Sequence, residues 1–194
     1  MRILQVEPKP ALTILFAILV PALIVEYLDY LNLFDARYHR ASIANGEWWR
    51  VLTGHLDHLN WKHLLMNSLF LGLLLALFRP LARPSRTLCL WLIACLLISL
   101  MMWFFSPKIY WYVGLSGSLY ALLVYSLAKD TSYPMIFRVI ALGFIGFKIA
   151  LEQLNGEISV ISKLVSGPVA IDAHLYGAIV GVLLVLVMRL KLFR

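Results

Sequence analysis

Six long apolar blocks dominate this 194-residue chain and constrain its fold more than any other feature. Each block approaches the length of about 20 apolar residues that an α-helix needs to cross a bilayer. Strands of a membrane barrel would be shorter and would alternate in polarity. The pattern therefore predicts an all-α polytopic membrane protein with six transmembrane helices, at residues 11–27, 63–78, 87–105, 112–128, 134–151 and 168–190.

The composition agrees with a membrane protein, because 62% of the residues are apolar and 14% are charged. A soluble domain would be about half apolar and about a quarter charged, and the difference argues against a soluble globular enzyme. The low charge also excludes a disordered chain. The length is typical of one domain, and we interpret residues 1–194 as a single membrane domain.

The first block and the gap after it need separate interpretation. The block has a basic start like that of a signal peptide, but no small-residue cleavage site follows it, so we predict a retained helix. The gap, residues 28–62, is too long for a bare connection in a compact protein. It contains Trp48, Trp49 and Trp61, which are typical of a membrane interface, and we predict a folded interfacial loop there.

The basic residues predict an orientation in the membrane. The net charge of +7 is spread over the gaps between blocks, which indicates a topology signal rather than a nucleic-acid site. On an alternating path one side carries Arg2, Lys9, Arg79, Arg83, Arg86, Lys129, Arg138, Arg189, Lys191 and Arg194, and the other carries Arg37, Arg40, Arg50, Lys62, Lys108 and Lys163. The denser side belongs in the cytoplasm, so both termini are predicted to be cytoplasmic and the long loop extracytoplasmic.

Four polar side chains lie inside apolar blocks, where such groups are costly and usually functional. They are His63, Asn67, Ser116 and His174. Their blocks, the second, fourth and sixth, all enter from the extracytoplasmic side, and each residue lies within about two helical turns of that end. Polar groups at one shallow depth on three helices indicate a site.

Ser116 and His174 are the available nucleophile and base, because a serine hydroxyl attacks well only after a base takes its proton. A tetrahedral intermediate also needs donors for its oxyanion. His63 and Asn67, at i and i+4, share one helix face, and the backbone N–H of Ser116 adds a third donor. Asp172 is two residues from His174 and so points away from it on a helix. We therefore predict a Ser–His dyad with no third member.

Small residues flank both catalytic candidates. Gly114 and Gly117 narrow the fourth block, and Gly177, four residues after Ala173, narrows the sixth. Close approach of the two helices would bring the serine and histidine together, with Tyr120 offering a ring surface for the histidine. Each feature alone has an ordinary interpretation, since membrane serines commonly bond their own backbone and small residues commonly serve packing. Their conjunction favours catalysis.

The remaining cysteine and histidine side chains have structural interpretations. Cys89 and Cys95 are six residues apart in one apolar block, too far along a helix for a disulfide, and are interpreted as lipid-facing or core residues. His55, His58 and His63 could form a metal cluster, but no cysteine lies near them. We expect the first two to bond loop backbone or water, and we predict no metal or cofactor.

These motifs resemble those of rhomboid intramembrane serine proteases, in that family's order over residues 47–181. The resemblance implies that Ser116 is the nucleophile and His174 the general base, with no metal or cofactor. It also implies an oxyanion hole formed by His63, Asn67 and the backbone N–H groups of Ser116 and Leu115. The matching elements are Trp49-Arg50, His58-Leu59-Asn60-Trp61-Lys62-His63 continuing to Asn67, Gly114-Leu115-Ser116-Gly117 with Tyr120, and Ala173-His174-Leu175-Tyr176-Gly177 with Gly181.

A narrower similarity is to the rhombosortase subfamily, and it rests on Lys148, Glu152-Gln153-Leu154, Gly156 and residues 167–177. It implies a protease of the Gram-negative inner membrane whose site opens to the periplasm. The implied substrates are exported proteins with a C-terminal Gly-Gly-type sorting tail, which contains a small-residue motif, a hydrophobic helix and a basic end. Lys148 and Glu152, at i and i+4, either neutralise each other or help to bind the small-residue motif.

Two other function classes stay open at this point. An inactive rhomboid-like membrane chaperone or binding protein would usually lack the serine or the histidine, and both are present. A small transporter would place intramembrane charges along a path through the bilayer midplane, whereas the polar residues here cluster near one face. The sequence leaves the oligomeric state open.

Overall fold

The computed structural model describes residues 8–156, 162–163 and 167–189, and these residues are mostly helical. Among these residues, two very short strands and a 3-10 turn accompany the helices. The α-helices are α1 (Pro8–Tyr30), α2 (Arg40–Ala44), α3 (Arg50–Thr53), α4 (Trp61–Leu77), α5 (Pro84–Phe105), α6 (Ser116–Lys129), α7 (Met135–Asn155) and α8 (Ile171–Arg189); the strands are β1 (Tyr38–His39) and β2 (Trp111–Tyr112), and the 3-10 turn is Arg79–Leu81.

Six of these helices overlap the six apolar blocks, namely α1, α4, α5, α6, α7 and α8. Three of them, α1, α5 and α8, are long and apolar enough to cross a membrane. Helix α4 is apolar but has 17 residues, α6 has 14, and α7 carries Arg138, Lys148 and Glu152. The count of six spans therefore stays a prediction, while a multi-pass helical protein is clear.

The long gap after α1 is folded, and it contains the two-residue strand β1 beside the short helices α2 and α3. Strand β1 pairs with β2 in an antiparallel ladder, with Tyr38 opposite Tyr112. The guanidinium of Arg40 donates to the carbonyl oxygens of Met102 at 2.8 Å and Trp103 at 3.0 Å, at the end of α5. Backbone groups in a packed loop need partners, and the ladder and the arginine supply them where no helix can.

The core lies where α8 packs between α5 and α6. Small residues let the helix backbones approach, because a Cβ added at Gly181 would lie 2.7 Å from the carbonyl oxygen of Ala121. Cys95 is buried in this core, Cys89 is exposed, and both are free thiols. The fully buried apolar side chains of the three helices include Ala94, Ile98, Met102, Leu119, Leu122, Ala173 and Val180.

Helix α6 begins at Ser116 rather than at the predicted residue 112. The chain first forms β2 and then turns at Gly114, whose φ of +118° lies in the region that favours glycine. The backbone N–H of Gly114 donates to the carbonyl oxygen of Gly54 at 3.0 Å, which ties this turn to the long loop. The turn places Ser116 in the first position of the helix.

Candidate active site

The side chains of Ser116 and His174 meet between α6 and α8. The Ser116 Oγ lies 3.0 Å from Nε2 of His174, within hydrogen-bonding distance for a nucleophile and its base. His174 is buried, and Ser116 is half-buried. The sequence placed these two residues on different helices, and the fold brings them together.

Glycine makes this proximity possible. A Cβ on Gly117 would lie 2.9 Å from the carbonyl oxygen of Ala173, and a Cβ on Gly177 would overlap the carbonyl oxygen of Gly117. Contacts this short do not occur between real Cβ atoms and backbone. The two helices are therefore in direct backbone contact one residue from each catalytic candidate, so their spacing fixes the Ser–His distance.

Tyr120 packs on the histidine, as predicted. Its ring is stacked on that of His174, with centroids 4.6 Å apart and an interplanar angle of 29°. The Nζ of Lys148 lies 4.8 Å from the centroid of the Tyr120 ring. The stacked ring limits the rotation of the imidazole.

A carboxylate also reaches the histidine, which the predicted dyad did not include. Oε2 of Glu152 lies 3.1 Å from Nδ1 of His174, and Oε1 lies 2.6 Å from Nζ of Lys148. Lys148 and Glu152 thus form an ion pair, and this pair also contacts the histidine. Glu152 is 1% exposed, and both of its oxygens are engaged, so these contacts do not favour the alternative of a direct role in substrate binding.

Asp172, the acidic residue nearest to His174 in sequence, is turned away from it, as the helical spacing predicted. Its Oδ2 accepts a hydrogen bond of 2.5 Å from the hydroxyl of Ser106. Ser106 also lies 2.6 Å from the hydroxyl of Tyr176. These bonds connect the first turn of α8 to the end of α5.

The predicted oxyanion residues His63 and Asn67 lie beside the turn that precedes the nucleophile. A Cβ on Gly114 would lie 2.7 Å from Cε1 of His63 and 3.7 Å from Nδ2 of Asn67. Among the described residues, the buried Nδ2 of Asn67 has no hydrogen-bond partner. Nδ1 of His63 accepts the backbone N–H of Leu59 at 3.4 Å, which leaves the proton of the neutral ring on Nε2. Both side chains are thus available as donors.

A pocket of about 200 Å³ joins these groups. The backbone of Leu115, the other predicted donor, lies directly before Ser116 at the start of α6. A pocket with a nucleophile, a base and two donors has the parts that acyl transfer requires. Its lining residues are His63, Met66, Asn67, Phe70, Ser116, Tyr120, Lys148, Val169 and His174.

The loop that leads to α4 holds His55 and His58 against backbone groups, as expected. The ring of His55 lies 3.0 Å from the carbonyl oxygen of Cys95, and that of His58 lies 3.0 Å from the carbonyl oxygen of Leu56. Burial lowers the pKa of His55 to about 4 and that of His58 to about 3. Burial and the nearby Asp29 raise the pKa of Asp57 to about 7. The ring of His58 packs edge-on against that of His63, which lines the pocket, with centroids 5.0 Å apart.

Fold and site together define a polytopic helical membrane protein with a Ser–His pair in a pocket between its helices. Residues 45–191 match the family model described as the Rhomboid domain. The chain therefore belongs to the rhomboid family. It is also similar to YdcA of Bacillus subtilis (strain 168), whose name marks it as a candidate rhomboid protease, with 27% identity over 75% of this chain and 70% of that protein. Both comparisons support a protease that acts on membrane proteins.

Proposed function

We propose that this protein is an intramembrane serine endopeptidase, with Ser116 as the nucleophile and His174 as the general base and then general acid. The observation that carries the proposal is the 3.0 Å contact between Ser116 Oγ and His174 Nε2. An inactive rhomboid-like binding protein has no need of that contact. A transporter has no need of the nearby Asn67 donor, which has no partner among the residues described.

The reaction proceeds in two halves. Ser116 Oγ attacks the scissile carbonyl carbon while its proton moves to Nε2 of His174, and the carbonyl oxygen becomes an oxyanion. His174 then gives that proton to the leaving amine, and an acyl-enzyme ester forms. A water molecule, deprotonated by His174, hydrolyses the ester and restores the Ser116 hydroxyl. The pocket beside the pair is the route for that water.

The oxyanion is bound by donors that converge on the pocket. We assign this role to Nε2–H of His63, Nδ2–H of Asn67 and the backbone N–H groups of Leu115 and Ser116. The support is that Asn67 presents a buried donor that has no partner in the part of the chain that the structure describes. A preorganised donor of this kind costs no reorganisation when charge develops.

We assign the protein to the bacterial inner membrane, with six spans, both termini in the cytoplasm and the pocket open to the periplasm. The distribution of Lys and Arg supports this orientation. The exposed rings of Trp48, Trp49 and Trp61 lie in and just after the long loop, as is typical of a membrane interface.

The proposed substrates are exported proteins anchored by a C-terminal Gly-Gly-type sorting tail, and cleavage releases them from the tail helix. The rhombosortase-like motif supports this class. Two of its residues, Lys148 and Glu152, lie at the catalytic histidine. A pocket of about 200 Å³ also suits the small side chains of such a motif.

Co-expression with a Gly-Gly-tailed exported protein tests the substrate class. Mass spectrometry of the substrate should find a new C-terminus close to the small-residue motif in cells with the wild-type enzyme. Ser116→Ala and His174→Ala should leave the tail intact. As a matched control, a substrate whose Gly-Gly pair is replaced by bulky residues should stay uncleaved. Equal cleavage by wild type and Ser116→Ala would contradict the proposal.

A further inference from the structure

We infer that Glu152, held in place by Lys148, is a positioning residue that fixes the protonation and orientation of His174. The inference rests on the proposed function and adds a third member to the Ser–His pair. Its basis is the set of contacts at Nδ1 of His174, the ring nitrogen that does not face the nucleophile.

Two groups approach Nδ1, and they require opposite forms of the neutral ring. Oε2 of Glu152 at 3.1 Å can only accept, so it needs a proton on Nδ1. Nζ of Lys148 at 3.3 Å can only donate, so it needs a bare Nδ1. Only the first form leaves Nε2 of His174 free to accept the proton of Ser116. The catalytic role of the histidine therefore requires that Nδ1 donates to Glu152 rather than accepts from Lys148.

The geometry gives Glu152 that advantage. Lys148 Nζ lies 2.6 Å from Oε1 of Glu152, closer than its 3.3 Å to the histidine, so its strongest bond goes to the carboxylate. The same ammonium is also close to the face of the Tyr120 ring, a further favourable contact for a cation. Lys148 thus neutralises the buried carboxylate and leaves Oε2 to the imidazole.

Burial separates this arrangement from an ordinary surface ion pair. Ile149 and Glu152 are the buried residues of α7. The Glu152 carboxylate is therefore one of the two side chains that this helix buries. A buried charge is costly unless it is paired and hydrogen-bonded. A pair that served only to neutralise itself could lie on an outer face of α7, where the charges would cost less.

The arrangement also has a consequence for the reaction. When Nε2 takes the proton of Ser116, His174 becomes an imidazolium beside the Glu152 carboxylate. The carboxylate stabilises that positive charge without accepting the proton, and it keeps the ring aimed at the serine. Glu152 acts through His174 and has no contact with Ser116 in this role.

The test compares Glu152→Gln with Asn155→Ala, a control change at an exposed residue of α7 that lies outside the rhombosortase-like motif. The readout is the rate of covalent labelling of Ser116 by a fluorophosphonate, separated into the maximal rate and the concentration for half-maximal rate. An amide at position 152 can donate to Nδ1 and so favour the unproductive ring form. For Glu152→Gln we expect a maximal rate lower by about 100- to 10,000-fold, with the half-maximal concentration changed by less than about threefold. Asn155→Ala should be labelled at the wild-type rate.

A thermal melt of each purified variant shows whether it is folded. If Glu152→Gln does not fold, Glu152→Asp decides, because it keeps the charge but withdraws the carboxylate by one methylene; a lower maximal rate at an unchanged melting temperature supports the inference. A folded Glu152 variant that is labelled at the wild-type rate overturns it. Failure of the proposed function looks different, because then wild type itself is not labelled at Ser116.

Discussion

Replacing Gly177 by alanine perturbs the Ser116–His174 pair without touching either of its side chains. The added methyl group points at α6, where it would overlap the carbonyl oxygen of Gly117 and lie 3.0 Å from the carbonyl carbon and 3.1 Å from Cβ of Tyr120. All three positions are on the helix that carries Ser116. Because two of them are backbone atoms, a side-chain rotation cannot relieve the overlap, and the helices must move apart.

The size of the effect follows from that movement. Carbon atoms in ordinary contact are about 3.5 to 4.0 Å apart, so α6 and α8 must separate by roughly 1 Å. The Ser116 Oγ to His174 Nε2 distance of 3.0 Å would then approach 4 Å, beyond a hydrogen bond. A misplacement of about 1 Å at a reacting group costs on the order of 100-fold in rate. Overpacking of this kind also destabilises a core by about 1–3 kcal/mol.

The assay is the rate of fluorophosphonate labelling in detergent, with a thermal melt of the same samples. Gly143→Ala is the matched control, since a Cβ at that glycine of α7 meets nothing within 4 Å; it should keep the wild-type rate. Gly177→Ala should be labelled on the order of 100-fold more slowly and should melt at a lower temperature. Wild-type labelling and melting in Gly177→Ala would refute the argument that backbone contact sets the catalytic distance.

Three further outcomes are expected. Asn67→Ala should lower the cleavage rate by less than the 100- to 1000-fold typical of one oxyanion donor, because the other donors overlap with it; a loss as complete as that of Ser116→Ala would contradict this redundancy. The pKa of Asp57 is raised, so its protonated carboxyl stabilises the folded state. This stabilisation is fully present below pH 3.8, the ordinary pKa, and is lost as the pH rises through about 7. Asp57→Asn should therefore increase the free energy of unfolding by roughly 2 kcal/mol more at pH 8 than at pH 5, and an equal effect at both would contradict the assignment. Arg40→Gln should destabilise the fold by about 2–4 kcal/mol, because it removes the hydrogen bonds to the end of α5. Arg37→Gln, at an exposed ion pair, should cost about 1 kcal/mol or less. Equal melting temperatures for the two variants would contradict a structural role for the Arg40 bonds.

Much of the helical framework could be predicted from the sequence, because apolar length alone determines where a chain can cross a lipid bilayer. The proximity of Ser116 and His174 could be anticipated too, since small residues on both helices permit close approach. The short ladder of β1 and β2 could not. Two paired residues per strand have no periodicity to detect, and the pairing exists only because the loop folds back onto the end of α5.

The contact between Glu152 and His174 could not be predicted from the sequence, for a physical reason. The acidic residue nearest to His174 in sequence is Asp172, and helical geometry turns that residue away, towards Ser106. The carboxylate that reaches the ring comes from α7, 22 residues earlier. The one sequence signal was a Lys–Glu pair inside an apolar block, and such a pair is equally typical of self-neutralising charges.

The most direct test of the account is to find which residue a fluorophosphonate modifies. Purified protein should carry the label on Ser116, identified by mass spectrometry of the modified peptide. The modification should be absent from Ser116→Ala and at least about 100-fold slower in His174→Ala. A label on any other residue, or a His174→Ala variant that reacts as fast as wild type, would contradict the claim that the histidine activates this serine.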